Sequence, residues 1–189
     1  MSAALTQAFD GEPVTEWMLP QRARRQGRRE LMFTLDLQVY VLPGGGQVTT
    51  ADDGPGGLVG ACLTLPPEGW PMPKAVDGRT ALRLFWAYGS KLKRVLHMQR
   101  AMAERHPAEP HYYVRWVGVR PGLQGQGLGS ALMQPTLDRC DAEGFPAYIE
   151  ASSEGSAALY QRLGFAHLGV LQLPDGGPPI WPMRRPPSG

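Results

Sequence analysis

Cysteine is almost missing from this 189-residue sequence. Cys62 and Cys140 are too few for a disulfide framework, and no clustered histidines accompany them as a zinc site would need. Both are expected to be buried thiols. An excess of charge of one sign is missing too: 19 basic residues against 17 acidic leave a net charge of +2. That balance excludes a surface built to coat nucleic acid or an anionic membrane, so any anionic ligand must be recognised locally. No run approaches the ~20 apolar residues that span a bilayer. The start of the chain lacks a basic n-region followed by an apolar stretch, which argues against secretion and makes a reducing cytoplasm the expected compartment.

What is present is glycine and proline, 24 and 19 residues. This falls short of the roughly 25–30% typical of low-complexity disorder and fits a loop-rich single domain. Residues 3–9 read as a short helix, followed by a turn at Asp10-Gly11-Glu12-Pro13. A second helical stretch after Pro20 carries Leu31 or Met32, Leu35, Val39 and Leu42 on one stripe and stops at Pro43-Gly44. Gln47–Ala51 and Leu58–Leu65 read as an antiparallel strand pair. After Asp77, Ala81, Phe85, Tyr88, Leu92, Val95 and Met102 mark one helix or two, broken near Gly89-Ser90. Tyr112–Val119 is aromatic and β-branched, a central strand. A helix to about Ala142, a strand at Ala147–Ala151, a helix at Gly155–Leu163 and strands at Phe165–Leu173 and Ile180–Arg184 complete an α/β (α+β) domain with a mixed sheet.

The strongest local signal is Val117-Gly118-Val119-Arg120-Pro121-Gly122-Leu123-Gln124-Gly125-Gln126-Gly127-Leu128-Gly129-Ser130, a strand end leading through a glycine-rich turn into a helix. Free amide groups and the helix dipole at such a start make an anion site, and Gly125, Gly127 and Gly129 have no side chain to keep a diphosphate from the backbone. Gln124 brings an amide that can bind a phosphate or cap the turn. A P-loop would place Lys-Ser/Thr after its last glycine, where this chain has Ser130-Ala131. A dinucleotide fingerprint would have G-x-G-x-x-G, where this chain has G-x-G-x-G, although Glu150 lies near the distance of the expected acid. A helix-start turn without any ligand is the remaining reading of the glycines taken alone.

Gln124-Gly125-Gln126-Gly127-Leu128-Gly129 after a Val-x-Val strand end resembles the acyl-CoA motif of the GNAT acyltransferase superfamily. Ala158-Leu159-Tyr160-Gln161-Arg162-Leu163-Gly164-Phe165 resembles its second signature. Residues 105–187 are similar to puromycin N-acetyltransferase-like enzymes; residues 3–65 are only faintly so. The resemblance implies a mostly antiparallel sheet with a splayed parallel strand pair, flanked by helices. It also implies an acyl-CoA-binding core at 106–189 and acceptor-side helices and hairpin at 1–105. The family opens with a strand before its first helix, whereas this chain begins at that helix, leaving either a sheet without that edge strand or an incomplete start. Ser156 stands where many members carry an asparagine that touches CoA, and Pro135 falls inside the helix after the glycine turn.

From the same resemblance, acetyl-CoA is the expected co-substrate, with Val117, Gly118, Val119, Gln124, Gly125, Gln126, Gly127, Leu128, Gly129, Ser130, Ser156 and Tyr160 holding it. Backbone groups of Val117 and Val119 would bind the pantetheine, and one of their amides would lie near the thioester oxygen. Tyr160 is the expected general acid, since a phenol with an unperturbed pKa near 10 can protonate a leaving thiolate. Glu150, the acid on the strand facing the splay, is the expected base, with Glu109 and His111 as weaker candidates. His97, His106 and His167 show no ligand spacing, and no metal is assigned. The arginine run Arg22, Arg24, Arg25, Arg28 and Arg29 reads as a solvated helix face. Trp17, Trp70, Trp86, Tyr88, Tyr112 and Trp116 read mostly as core, with Trp70 the best candidate for touching the acceptor. The expected acceptor is a small-molecule primary amine, an aminonucleoside or antibiotic among the possibilities, met by a monomer or homodimer. A non-catalytic acyl-CoA sensor is the alternative from another class.

Overall fold

Glu12 and Pro13 start a helix that the sequence reading passed over as a turn. Pro13 sits at the first helical position, and the Glu12 carboxylate accepts from the amides of Val14 (3.0 Å) and Thr15 (2.7 Å). The computed structural model describes residues 1–19, 25–54, 57–69 and 76–188. Its first three helices are α1 (Ser2–Ala8), α2 (Pro13–Met18) and α3 (Arg25–Asp36). Arg29 ties them together and is fully buried, not solvated as expected. Its guanidinium donates to Asp10 (2.9 Å), Glu16 (3.0 Å) and the Thr6 carbonyl (3.2 Å), acceptors that only the folded α1–α2 corner brings together. Arg22 and Arg24 lie outside the described residues.

Helix α3 runs on into one π turn, Leu37–Val41, closed by a bond from the Leu42 amide to the Leu37 carbonyl. This wider turn rotates less per residue, so Val41 comes round into the core while Leu42, expected inside, points outward. In α4 (Gly78–Tyr88), Ala87 is buried, with Leu84 and Tyr88 half-buried, whereas the expected Ala81 and Phe85 are exposed. Apolar residues lie on both faces of this helix, so periodicity alone could not choose between them. A 3₁₀ turn at Gly89–Lys91 leads into α5 (Leu92–Ala103), with the break where expected.

The strands are β1 (Gln47–Asp52), β2 (Leu58–Leu65), β3 (Tyr112–Val119), β4 (Ala147–Ala151), β5 (Ala166–His167), β6 (Leu171–Gln172) and β7 (Pro179–Arg185). They form one mixed sheet in the order β1-β2-β3-β4-β7-β5, with β6 also on β7, and every pairing is antiparallel except β3–β4. That parallel pair is bridged by α6 (Leu128–Glu143), and α7 (Glu154–Arg162) follows β4. Among the described residues no strand precedes α1, and β1 is the edge. The expected strand Phe165–Leu173 is two short pieces. Leu168 still donates to the Pro182 carbonyl (2.8 Å), but Pro182 has no amide to answer, and Gly169 at φ +124° turns the chain away.

Alternate residues of the strands face two cores. Cys62, Val114, Ile149 and Met183 pack beneath α6 and α7 with Leu132, Leu137, Cys140 and Tyr160. Ala61, Leu63, Leu171 and Ile180 pack beneath the helices of the first half with Leu5, Met18, Phe33 and Val95. Both cysteines are buried and free. Pro135 sits inside α6 without ending it. No helix among the described residues is long and apolar enough to cross a membrane.

Candidate active site

β3 and β4 pair only at Tyr112–Ala147 and Tyr113–Tyr148, and beyond those two rungs the strands separate. On its other side β3 stays bonded to β2. The Arg120 amide donates to the Val59 carbonyl (2.7 Å), a register in which Gly118 also bonds to β2 while the amides and carbonyls of Val117 and Val119 point into the gap. This unpaired strand edge opens onto a cavity of about 770 Å³ that runs from the glycine turn, through the splay, to the underside of α3–α5. Val117, Gly118, Val119, Gln124, Gly125, Gly127, Leu128, Gly129, Ser130, Ser156 and Tyr160 all line it. Gln126 does not line it.

Gly125 and Gly127 adopt φ of +78° and +82°, with open space where a Cβ would stand. Gly127 caps α6 with no side-chain acceptor, so the first amides of that helix are left for a ligand. Gly129 has a different reason: a Cβ there would stand 3.0 Å from Leu159. Gly118 is a packing glycine as well, since a Cβ would meet Phe9 at 2.7 Å and Ala8 at 2.8 Å. The Gln124 amide donates to the Val119 carbonyl (3.3 Å) and so caps the turn. Ser156 belongs to a capping box with Ser153, donating to the Ser153 carbonyl (2.9 Å) while its amide bonds the Ser153 hydroxyl (3.2 Å). Bare positive-φ glycines, free helix amides and an unpaired strand edge suit a diphosphate followed by an amide-bearing arm.

Tyr160 is buried against Phe165, their ring centroids 6.0 Å apart. Burial, with lesser contributions from Cys62 and Glu12, raises its pKa above that of a free phenol, so it carries its proton at neutral pH. Burial also pushes the thiols of Cys62 and Cys140 up, to about 11 and about 12, which leaves neither as a thiolate.

Glu150 faces the same cavity from β4. Its side chain is 6% exposed, and Oε1 is buried with no hydrogen-bond partner among the described residues. Next to it lie His106, with Nδ1 3.9 Å from that oxygen, and the phenols of Tyr113 and Tyr148, whose pKa values rise through burial and the neighbouring carboxylate. The weaker candidates are elsewhere. Glu109 is at the surface, bonded to Arg184 (2.7 Å), and His111 lies behind His106 and off the cavity wall.

Four lining residues, Asp36, Tyr40, His106 and Arg115, were given no role by the sequence reading. Asp36, at the end of α3, accepts from Arg115 Nε (2.6 Å) and from Trp116 Nε1 (2.8 Å), and makes a second bond to the Arg115 guanidinium; Tyr40 stacks over that guanidinium at 5.1 Å. Strand alternation could have found Arg115, two residues past Tyr113 as Glu150 is two past Tyr148; nothing in the sequence signalled Asp36. His106 was noted only for lacking ligand spacing. Of the aromatics, Tyr88 and Trp116 line the cavity, Tyr112 is core, Trp17 packs under Arg94 (4.9 Å) and Trp86 is 62% exposed. Trp70 lies outside the described residues. Among the described residues no group of three His, Cys, Asp or Glu is placed to hold a metal ion.

A buried acid and a protonated phenol thus share one cavity with the glycine turn. Residues 48–165 match the model of the Acetyltransferase (GNAT) family, and the chain belongs to that family. Membership implies acetyl-CoA as co-substrate. A crystal structure of a histone acetyltransferase HPA2 and related acetyltransferase from Corynebacterium glutamicum superposes with a TM-score of 0.74 at 28% identity, over 100% of this chain and 90% of that one. An uncharacterised N-acetyltransferase of Schizosaccharomyces pombe is 25% identical over 181 residues, 91% of this chain and 72% of its own length. A mycothiol acetyltransferase of Streptomyces griseus is 34% identical over 161 residues, 76% of this chain; the aligned part is 50% of that relative's length.

Proposed function

We propose that this protein transfers an acetyl group from acetyl-CoA to the primary amine of a small molecule, and that Glu150 is the group that takes the amine's proton. The observation that carries the reading is Glu150 Oε1: a buried carboxylate oxygen on the wall of a cavity, without a hydrogen-bond partner among the described residues, is a costly arrangement that an ammonium donor relieves.

In this reading the turn at 124–130 holds the diphosphate on the free amides of Leu128, Gly129 and Ser130. Val117 and Val119 offer their backbone groups to the pantetheine, and one of their amides donates to the oxyanion as it develops. Glu150 removes one proton from the acceptor ammonium, directly or through one water. The freed nitrogen then forms its bond to the thioester carbon, and as the carbon–sulfur bond breaks Tyr160 gives its proton to sulfur. The nitrogen's second proton leaves through solvent and restores the phenol. Residues 106–189 would bind the acyl carrier and residues 1–105 the acceptor, which would enter between the N-terminal helices and the β6–β7 hairpin.

Aminonucleosides are the acceptors favoured by the likeness of residues 105–187 to puromycin N-acetyltransferase-like enzymes. The relatives found by comparison instead bear the names mycothiol acetyltransferase and HPA2-related acetyltransferase. The deciding experiment has two stages. A thermal-shift titration with acetyl-CoA, CoA and NADH should show stabilisation by the first two, about 2.7 kcal/mol at a hundredfold excess over Kd. An assay of thiol release over a panel of amines, including puromycin and an amine precursor of mycothiol, should then show acceptor-dependent turnover. Stabilisation by NADH alone, or no turnover with any amine, would refute the reading.

A further inference from the structure

The bonds around His106 fix where its protons sit. His111 Nδ1 lies 2.7 Å from the Glu109 carbonyl oxygen. A carbonyl only accepts, so Nδ1 of His111 carries the hydrogen, and in the neutral ring its Nε2 is then the bare acceptor. His106 Nε2 lies 2.9 Å from that Nε2 and must be the donor. In its neutral form the ring of His106 is then left with an acceptor nitrogen, Nδ1, and this is the nitrogen that faces Glu150 at 3.9 Å. Burial holds the pKa of His111 below that of a free histidine, consistent with a neutral ring at the back of the pair.

The ring of His106 is held firmly. Its side chain is 1% exposed and packs edge-on to Tyr113 (4.8 Å between centroids) and Tyr148 (4.7 Å), and tilted against His111 (4.7 Å). The titratable and charged groups around it are Glu150 and Tyr148 from β4, Tyr113 and Arg115 from β3, and His111 and Glu109 from the loop before β3. Of these, Arg115 is bound to Asp36 and the Glu109 carboxylate to Arg184. Glu150 is the carboxylate next to Nδ1.

We propose that His106 is the positioning partner of Glu150, with Nδ1 accepting the proton that Glu150 takes from the ammonium. This rests on the reading of Glu150 as base. The Glu150 O–H bond breaks and an N–H bond forms at Nδ1, giving an imidazolium that still donates from Nε2 to His111. The carboxylate is restored, and the proton leaves to solvent through the cavity, which His106 also lines. The 3.9 Å gap is about 1 Å beyond hydrogen-bond distance; the Tyr113 and Tyr148 phenols beside the carboxylate restrain it, and Oε1, without a hydrogen bond among the described residues, is the oxygen left to close on Nδ1 by a small rotation.

The full chain labelled with ¹⁵N-histidine tests the geometry without any substrate. Near pH 7 the expected spectrum shows an Nε2–H tautomer for His106, an Nδ1–H tautomer for His111, and scalar coupling between the two Nε2 atoms. The opposite tautomer at His106 would overturn the proposal. With an amine that turns over, H106N should lower kcat by about 10- to 100-fold with little change in KM, at the low end of a general-base contribution. It should also displace the acidic limb of the kcat–pH profile, which a merely structural residue would not move. A profile for a folded H106N that superposes on that of the parent would overturn the role. If E150Q itself leaves kcat intact, the base reading fails while the tautomers can stand, so the two failures are distinguishable.

Discussion

Tyr113 of β3 and Tyr148 of β4 are the last residues paired across the parallel strands, and the cavity opens just past them. Two residues further along each strand are Arg115 and Glu150, and the separation between these continuations is the cleft itself. The buried phenols of Tyr113 and Tyr148 pack together with Leu65, and Tyr113 also lines the cavity. A rung more of pairing would close the gap that exposes Val117 and Val119.

Replacing Tyr160 by Phe removes one hydroxyl and keeps the packing against Phe165. Turnover should fall by about 10²- to 10⁴-fold, the usual worth of a positioned acid. The midpoint of thermal unfolding and the Kd for CoA, read by calorimetry, should stay close to the parent values. Unchanged turnover would remove the tyrosine from the mechanism.

Gly118→Ala tests the seat of α1 on β3. The new methyl would stand 2.7 Å from Phe9 and 2.8 Å from Ala8, so the helix has to shift. A loss of about 1–3 kcal/mol in urea unfolding is expected from overpacking. Gly125→Ala instead strains a φ of +78° with open space around it, and should weaken CoA binding more than it destabilises the fold.

Asp36→Ala leaves the Arg115 guanidinium in the cavity wall without its carboxylate. Both side chains are 9% exposed, so the loss should be about 3–5 kcal/mol. Replacing Arg115 by Met in the same chain should recover part of it. Additive losses in that double-mutant cycle would show that the pair is not coupled.

Asp141 gives a test in pH. Its bonds to Arg185 and to the Ser188 amide hold its pKa down at about 2, below the usual carboxylate range. A folded pKa lower than the unfolded one contributes stability above the unfolded value and loses it as pH falls toward the folded one. Asp141→Asn should therefore be less stable than the parent at pH 5–7, and the difference should shrink between about pH 4 and pH 2. A gap constant across that range would mean that the carboxylate's charge plays no part.

Much of the carrier side was legible. Gly125, Gly127, the β3 strand and the end of α6 follow from local rules: backbone freedom for glycine, aromatic and β-branched runs for a strand, a glycine after a helix. Glu150 and Tyr160 came from resemblance, and they do share one cavity wall. Less was legible in the first half. The π turn after α3 shifted its stripe from Leu42 to Val41, and α4 carries apolar residues on both faces, so Phe85 is exposed where periodicity placed it inside.

What the sequence determined by itself is the set of local conformations, because each depends on neighbours within a few residues. What the tertiary structure alone decided is which distant groups meet. Asp36 and Arg115 are 79 residues apart, and His106 and Glu150 are brought together across the β3–β4 connection. Such pairs leave no periodic trace along the chain. They form because burial leaves charged and polar groups needing partners, and only the packed sheet and helices determine which partners are within reach.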